Sequence, residues 1–367
     1  MALTTNNHTL LEHGDQRVEL LRGTGPERQA CEQELIGNGY PLPLPHRCAW
    51  ARLQRADDSW FLAVRDGECY RGGFALDVRR SRALPGHLIL RAERFGQGLP
   101  EASREACVAA LEKLARGNRR ILRVHVELFS REQATREAVA ASLRARGFRE
   151  LREGRRYAST VAIDLRTDEA GILASFHPTA RRHIRALGKH PVVVRAIDEV
   201  VYAGRMEALH RETLGRTGGK VRQRDWAAVI ALSRECPEVS RLVGLFRTAL
   251  TGPDSLLAFA WGCGHGDCAH YDAAASTRQS DLRIPLVYAL VWDLVCWAKR
   301  NGAQWFDFGG VTEGTFGSED RLGGISDFKR YFSKDIVSVG GEWLLEPHWV
   351  RARLAGAISK CVSWVSK

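Results

Sequence analysis

Two long helices in this chain pass straight into a strand, each across a helix stop. LPEASREACVAALEKLARGN (99–118) carries apolar residues at helical spacing and Gly117 in the C-terminal stop position, and RILRVHVELF (120–129) follows at once. IPLVYALVWDLVCWAKRNG (284–302), closed by Asn301-Gly302, runs in the same way into AQWFDFGG (303–310). The surrounding stretches repeat the plan. In the first half, strand patterns in WARLQRADDSWFLAVRDG, ECYRGGFALDVRRS and GHLILRAERF are punctuated by Asp66-Gly67, a hairpin signal. A helix in REQATREAVAASLRARGF and a strand in YASTVAIDL come after. In the second half, DEAGILASFHPTARRHIRALGK and DEVVYAGRMEALHRETLGRTGG read as helices, and SRLVGLFRT, SLLAFAWGC and CAHYDAAAS as strands. A chain of 367 residues exceeds one ordinary core, which stops growing near about 250 to 300 residues. Two α/β (α+β) domains in tandem are expected, at 39–157 and 158–346. A loosely ordered lead-in at 1–38 precedes them, and a C-terminal helix at 347–367 follows.

Composition narrows the class. Hydrophobic residues at 44% and charged residues at 26% describe a folding chain, and no apolar run approaches the roughly 20 residues that span a bilayer. The opening MALTTNNHTLLEHGDQ lacks the basic and apolar regions of a signal peptide, so a cytoplasmic protein is expected. Nine cysteines without framework spacing fit free thiols in a reducing compartment. A net charge of +11 points to a polyanionic partner: RNA, an anionic membrane surface or a phosphorylated small molecule. The tail PHWVRARLAGAISKCVSWVSK sets Trp349, Leu354, Ile358, Val362 and Val365 towards one side and Arg351, Arg353 and Lys360 away from it. Such a helix either makes peripheral contact with an anionic membrane or docks on the protein's own body.

One stretch, WGCGHGDCAHYDAAAS (261–276), gathers Cys263, His265, Cys268 and His270 within eight residues. A two-residue turn at Gly266-Asp267 would set His265 opposite Cys268 and Cys263 opposite His270, all on one sheet face. The turn residues and flanking strands fit a central hairpin better than a zinc site, so no metal is expected.

Three ordered stretches go further: STVAIDLRTDEAGILASFHPTARRHIRAL, the strand AHYDAAAS, and WAKRNGAQWFDFGG followed by GGISDFKRYF. Together they resemble the FemABX family of aminoacyltransferases across roughly 158–345, while 40–157 matches only in the order of its elements. The resemblance implies two tandem acetyltransferase-like (GNAT) domains, each a mixed, mainly antiparallel sheet flanked by helices. It also implies transfer of an amino acid from aminoacyl-tRNA to an amine-bearing acceptor, typically a peptidoglycan precursor, without a further cofactor. Peptides and small natural products are other acceptors, and related members use other activated acyl donors. By motif, Phe328-Lys329 matches the family's Phe-Lys pair, Arg181 and Arg182 its basic helix, Arg216 the arginine of its "ET..R" segment, and Tyr271 the aromatic of its central strand. The glycine-serine end of that strand is altered here to Ala274-Ala275-Ser276.

The chemistry nominates residues in turn. Amine attack on an ester builds a tetrahedral oxyanion, and a cation aimed at it is usually the largest catalytic contribution. Lys329, after the glycine-rich GGVTEGTFGSEDRLGG, is the candidate. Asp307 in FDFGG either positions the amine or holds the Gly309-Gly310 turn. Arg181, Arg182 and Arg185, with His177 and His183, form a basic patch suited to phosphates. Glu93, at the end of LILRAERF, is the acid to test as general base. The first alternative is an acyl-CoA N-acyltransferase, which cradles pyrophosphate on a glycine-rich turn, Q/R-x-x-G-x-G/A. STRQSDLRIPLVYAL in the second half has no glycine, and ERFGQGLPEAS in the first is a near miss with Glu93 at the leading position, so CoA is the weaker donor. The second alternative is a non-catalytic module that holds RNA or membrane. Serine-triad, P-loop and Rossmann signatures do not occur.

Overall fold

The computed structural model describes residues 8–54, 58–152, 154, 157–217, 224–278, 282, 284–311 and 323–365. The chain divides into two compact units, residues 1–158 with 339–367 and residues 159–338.

The first unit is built on an eight-stranded sheet whose spatial order is β1 (His8–His13), β2 (Gln16–Arg22), β3 (Asp58–Asp66), β4 (Cys69–Arg80), β5 (Leu88–Phe95), β6 (Ile121–Leu128), β15 (Glu342–Leu345) and β7 (Arg149–Glu150). Its elements begin with β1 (His8–His13), β2 (Gln16–Arg22), α1 (Pro26–Gly37), α2 (Cys48–Leu53), β3 (Asp58–Asp66), β4 (Cys69–Arg80) and β5 (Leu88–Phe95). They continue through α3 (Glu101–Gly117), β6 (Ile121–Leu128), α4 (Gln133–Ala145) and β7 (Arg149–Glu150). The second unit contains β8 (Ser159–Asp164), α5 (Glu169–Ser175), α6 (Pro178–Ala186), β9 (Val192–Ala196), α7 (Ala203–Thr217) and α8 (Trp226–Glu235). After these come β10 (Ser240–Arg247), β11 (Leu256–Gly264), β12 (Cys268–Ser276), α9 (Tyr288–Arg300), β13 (Trp305–Gly310), α10 (Gly323–Arg330) and β14 (Ile336–Ser338). Its sheet runs β14-β8-β13-β12-β11-β10-β9. The chain then returns to the first unit with β15 (Glu342–Leu345) and α11 (Trp349–Val365).

Each sheet has a single parallel pair among the described strands, β5 with β6 and β12 with β13. The crossovers of those pairs are α3 and α9, the two helices that the sequence runs directly into a strand. A parallel pair needs a long connection, and an apolar helix lying on the sheet supplies it. Helix α3 buries Cys107, Val108, Ala110, Leu111 and Leu114 in one core with Phe74, Leu76, Val124 and Val126. Helix α9 buries Leu290, Val291, Leu294 and Val295 in the other, with Val243, Leu245, Ala260, Phe306 and Phe308. The expected class, two mixed and mainly antiparallel sheets with flanking helices, is observed.

Several boundaries differ from expectation. The supposed lead-in is structured from His8 onward: β1 and β2 form a hairpin on β3, and Val18, Leu20 and Leu21 are buried, the adjacent Leu20 and Leu21 breaking the strict alternation that marks a strand. The start of WARLQRADD belongs to helix α2, not to a strand, and β9 and α8 were not anticipated. Most consequentially, residues 339–346 do not finish the second domain. Strand β15 inserts between β6 and β7 of the first sheet, with Trp343 buried. Helix α11 turns Ala352 and Ala355 inward and leaves Trp349 and Leu354 exposed, so the expected apolar stripe is not its buried face. The side chains of Val362 and Val365 lie outside the described residues.

The return to β15 depends on Gly340. Its φ is +130°, and an added Cβ would stand 2.2 Å from the carbonyl oxygen of Leu128, so only glycine fits. Gly340→Ala is expected to destabilise the protein by at least about 1–3 kcal/mol, seen as a lower urea midpoint; an unchanged midpoint would remove this constraint.

Candidate functional site

The parallel ladder of the second unit is short. It joins Cys268–His270 to Trp305–Asp307, although β12 continues to Ser276 and β13 to Gly310. Where the ladder stops, Tyr271 follows on one strand and Phe308 on the other, with ring centroids 5.3 Å apart. Helix α10 delivers Phe328 and Lys329 to the same place. Phe308 lies 6.2 Å from Phe328 and 5.0 Å from Phe332, and Tyr288 of α9 lies 5.1 Å from Phe328. These rings make an apolar wall.

Into this setting the fold puts an ammonium and a carboxylate. Lys329 is only 8% exposed, and its Nζ donates to the carbonyl oxygen of Gly310 at 2.5 Å. Burial pushes its pKa down from 10.5 to about 8, against the opposing pull of the Asp307 carboxylate. Asp307 is fully buried, and its Oδ1 accepts from the backbone N–H of Gly309 at 2.8 Å. The Thr160 hydroxyl on β8 stands 2.6 Å from the same Oδ1 and 2.9 Å from the Gly309 carbonyl oxygen, and donates its one proton to either. Gly309 has φ +77°. Asp307 and Thr160 therefore brace the turn whose next carbonyl takes Lys329, which is the second of the two roles expected of Asp307.

The other nominated residues are distributed as follows. Tyr271 joins the cluster, and burial raises the pKa of its phenol. Arg181, Arg182 and Arg185 share one face of α6, lining an open surface groove of about 510 Å3 with Lys189. Arg181 also donates to the carbonyl of Ala174 at 3.1 Å. The two histidines expected in that patch do not line the groove. His177 caps α6, accepting from Thr179 N–H, with its ring 5.1 Å from Tyr331, while the His183 ring lies 5.0 Å from Tyr288. Burial and the Arg182 charge lower the His183 pKa. Arg216 stands exposed near the end of α7, beyond the C-terminal end of β12, where Thr213 Oγ1 accepts from Ser276 N–H. Partial burial and the neighbouring Arg278 cation lower the Arg216 pKa. Glu93 belongs to the first unit, where it lines a small cleft with Trp50, Asp77 and Arg91. Residues 312–322 of the glycine-rich loop lie outside the described residues. Thr160 was not foreseen, because a threonine in a strand carries no motif.

The cysteine-histidine hairpin has the expected register. Cys263 pairs with His270, His265 N–H donates to the Cys268 carbonyl at 2.7 Å, and Gly266 has φ +80°. Among the described residues no three His, Cys, Asp or Glu side chains gather as a metal-binding group. The turn has another role: the Asp267 carbonyl accepts from Gln304 N–H at 2.7 Å, which seats β13 beside β12.

No family model matches the sequence, and no curated protein does. Solved structures do resemble the fold. FemX superposes with a TM-score of 0.70 at 14% identity, covering 86% of this chain and 95% of FemX. L-PGS from Bacillus licheniformis gives 0.51 at 13% identity, over 94% of this chain and 98% of its own. The C-terminal DUF2156 domain of a protein named lysylphosphatidylglycerol synthetase, from Agrobacterium fabrum, gives 0.52 at 13% identity, over 91% and 96%. The chain therefore has a FemABX-like fold of two GNAT-type units, as its motifs implied.

Two measurements test this geometry. The 13Cε resonance of Lys329, identified by its loss in Lys329→Ala, is expected to titrate near pH 8 and at lower pH in Asp307→Asn, because that carboxylate favours the cation; a midpoint near 10.5 would contradict the burial. Metal analysis of the purified protein is expected to find no stoichiometric zinc, and one zinc per chain would restore the hairpin as a metal site.

Proposed function

We propose that the protein is an aminoacyltransferase, moving an amino acid from aminoacyl-tRNA to an amine acceptor with formation of an amide bond. The observation that carries this reading is Lys329, a buried ammonium held on the Gly310 carbonyl at the C-terminal end of β13. In the proposed reaction the amine nitrogen attacks the ester carbonyl carbon and the new C–N bond forms. The carbonyl oxygen becomes an oxyanion facing Lys329 Nζ. Collapse breaks the C–O bond to the ribose, whose oxygen takes up a proton while the amine nitrogen gives one to solvent. In a water-poor pocket a fixed cation stabilises that oxyanion far more than it would in water. The guanidinium groups of Arg181, Arg182 and Arg185 suit a phosphate backbone, since they bind phosphate without reading sequence. Fold likeness to FemX and to L-PGS is consistent with acyl transfer.

Acyl-CoA fits less well as donor. In the first unit the Gly96–Gly98 turn is packed by its own chain: a Cβ on Gly98 would stand 2.4 Å from the Pro41 carbonyl oxygen. Arg94 is folded inward, with its guanidinium 4.1 Å from the Phe129 ring centroid and donating to Gln97 Oε1 at 3.2 Å. Of the turn's N–H groups, that of Gln97 already donates to the Arg94 carbonyl at 3.3 Å and is not offered to a pyrophosphate.

The test is incubation with a full set of charged tRNAs and cell extract, following loss of one aminoacyl ester. Lys329→Ala is expected to cost at least about tenfold in turnover, a cautious floor on the roughly 10²–10³ of a lost oxyanion donor. Because the cation is required, the rate is expected to fall above about pH 8 as Lys329 loses its proton, in addition to the titration of the acceptor amine itself. Turnover with acyl-CoA and none with charged tRNA would overturn the reading.

A further inference from the structure

Helix α11 has two unlike faces. On the inner one, Ala352 and Ala355 are buried, and their small side chains let the helix lie close to the body of the first unit. Arg123 of β6 donates to the Ala352 carbonyl at 3.0 Å and to Glu346 at 2.9 Å, and Arg351 donates to the Arg119 carbonyl at 2.8 Å. These contacts fasten the helix along its inner side. On the outer face Val350 and Leu354 stand 61% and 54% exposed at i and i+4, with exposed Ala357 at i+7 and Trp349, 62% exposed, at the border. At about 100° per residue, Val350, Leu354 and Ala357 fall within roughly 60° of one another. Exposed Arg353 flanks this stripe on one side and exposed Arg351 on the other. The Arg353 guanidinium rests 5.3 Å from the Trp349 ring centroid.

Charge selects what meets this face. No acidic residue occurs from Trp349 to Val365, and exposed Arg119 and Arg120 lie beside the first turn of the helix, where Arg351 takes hold. A second copy packed stripe to stripe would bring Arg351 and Arg353 of both chains together with no carboxylate on either helix to balance them. A surface of phosphates with hydrocarbon beneath satisfies both features at once: the apolar stripe enters the boundary of headgroups and acyl chains, and the arginines reach up to phosphates. Among the described residues no helix is long and apolar enough to cross a membrane, so α11 would lie along it. We propose that the outward face of α11 seats this protein on the surface of an anionic phospholipid bilayer. This inference does not depend on the proposed aminoacyl transfer.

Co-sedimentation of the full chain with vesicles tests it. Vesicles of phosphatidylcholine containing about one-third phosphatidylglycerol are expected to carry the protein down, more weakly at about 0.5 M salt than at about 0.1 M. Pure phosphatidylcholine vesicles should carry little. Arg353→Gln is expected to weaken partition about fivefold, the effect of one lost cation near such a surface. Val350→Glu with Leu354→Glu should weaken it by more than about tenfold. Thermal melting checks that this double variant folds, and if it does not, Leu354→Gln alone is measured in the same way. Binding unchanged by these substitutions, equal binding to neutral vesicles, or no binding to anionic ones would each overturn the proposal. So would a concentration-dependent dimer, dispersed by the same substitutions, in a protein that ignores vesicles.

Discussion

The site rests on a ladder that ends early. Strands β12 and β13 pair over three residues each and then go separate ways. Backbone groups that leave a ladder inside a protein need other partners, since an unsatisfied one is costly. At the end of β13 those partners include side chains: Asp307 receives Gly309 N–H, the Thr160 hydroxyl reaches the Gly309 carbonyl, and Lys329 Nζ donates to the Gly310 carbonyl. The polar cluster at the end of β13 is a consequence of one topological choice, a single parallel pair whose ladder stops short of the strand ends. Open α/β sheets commonly receive ligands outside the carboxyl ends of such strands.

This arrangement costs stability. The Lys329 ammonium is disfavoured by desolvation, and the fully buried Asp307 compensates only in part. The result is a lysine poised near neutrality rather than one locked as a cation. A group in that condition responds strongly to a developing negative charge, which is the property that oxyanion stabilisation requires.

How much of this was legible in the sequence depended on range. The α3-to-β6 and α9-to-β13 junctions were readable because each helix and strand declares its period locally. The Cys263–His270 register followed from Gly266-Asp267, whose turn chemistry leaves little choice. Lys329, Phe328, Asp307 and Tyr271 were nominated by motif and chemistry, and the fold does gather them. Thr160 was invisible: its hydroxyl matters only because β8 lies beside β13, a contact between residues 147 apart in the chain. Strand β15 was misassigned for the same reason. Four residues, EWLL, have no periodicity to read, and their partner strand β6 lies more than two hundred positions earlier.

By itself the sequence determined the class of fold, the two-unit plan and the crossover helices, because these follow from apolar periodicity and from glycine stops acting over a few turns of chain. It also carried the basic character and the candidate lysine. Only the tertiary structure decided that Asp307 braces a turn, that His177 and His183 leave the basic patch, that the chain returns to the first sheet, and that α11 hides alanines while presenting Val350 and Leu354. Each of those outcomes is set by strand order and by close packing between residues distant in sequence, and neither is encoded in any local pattern.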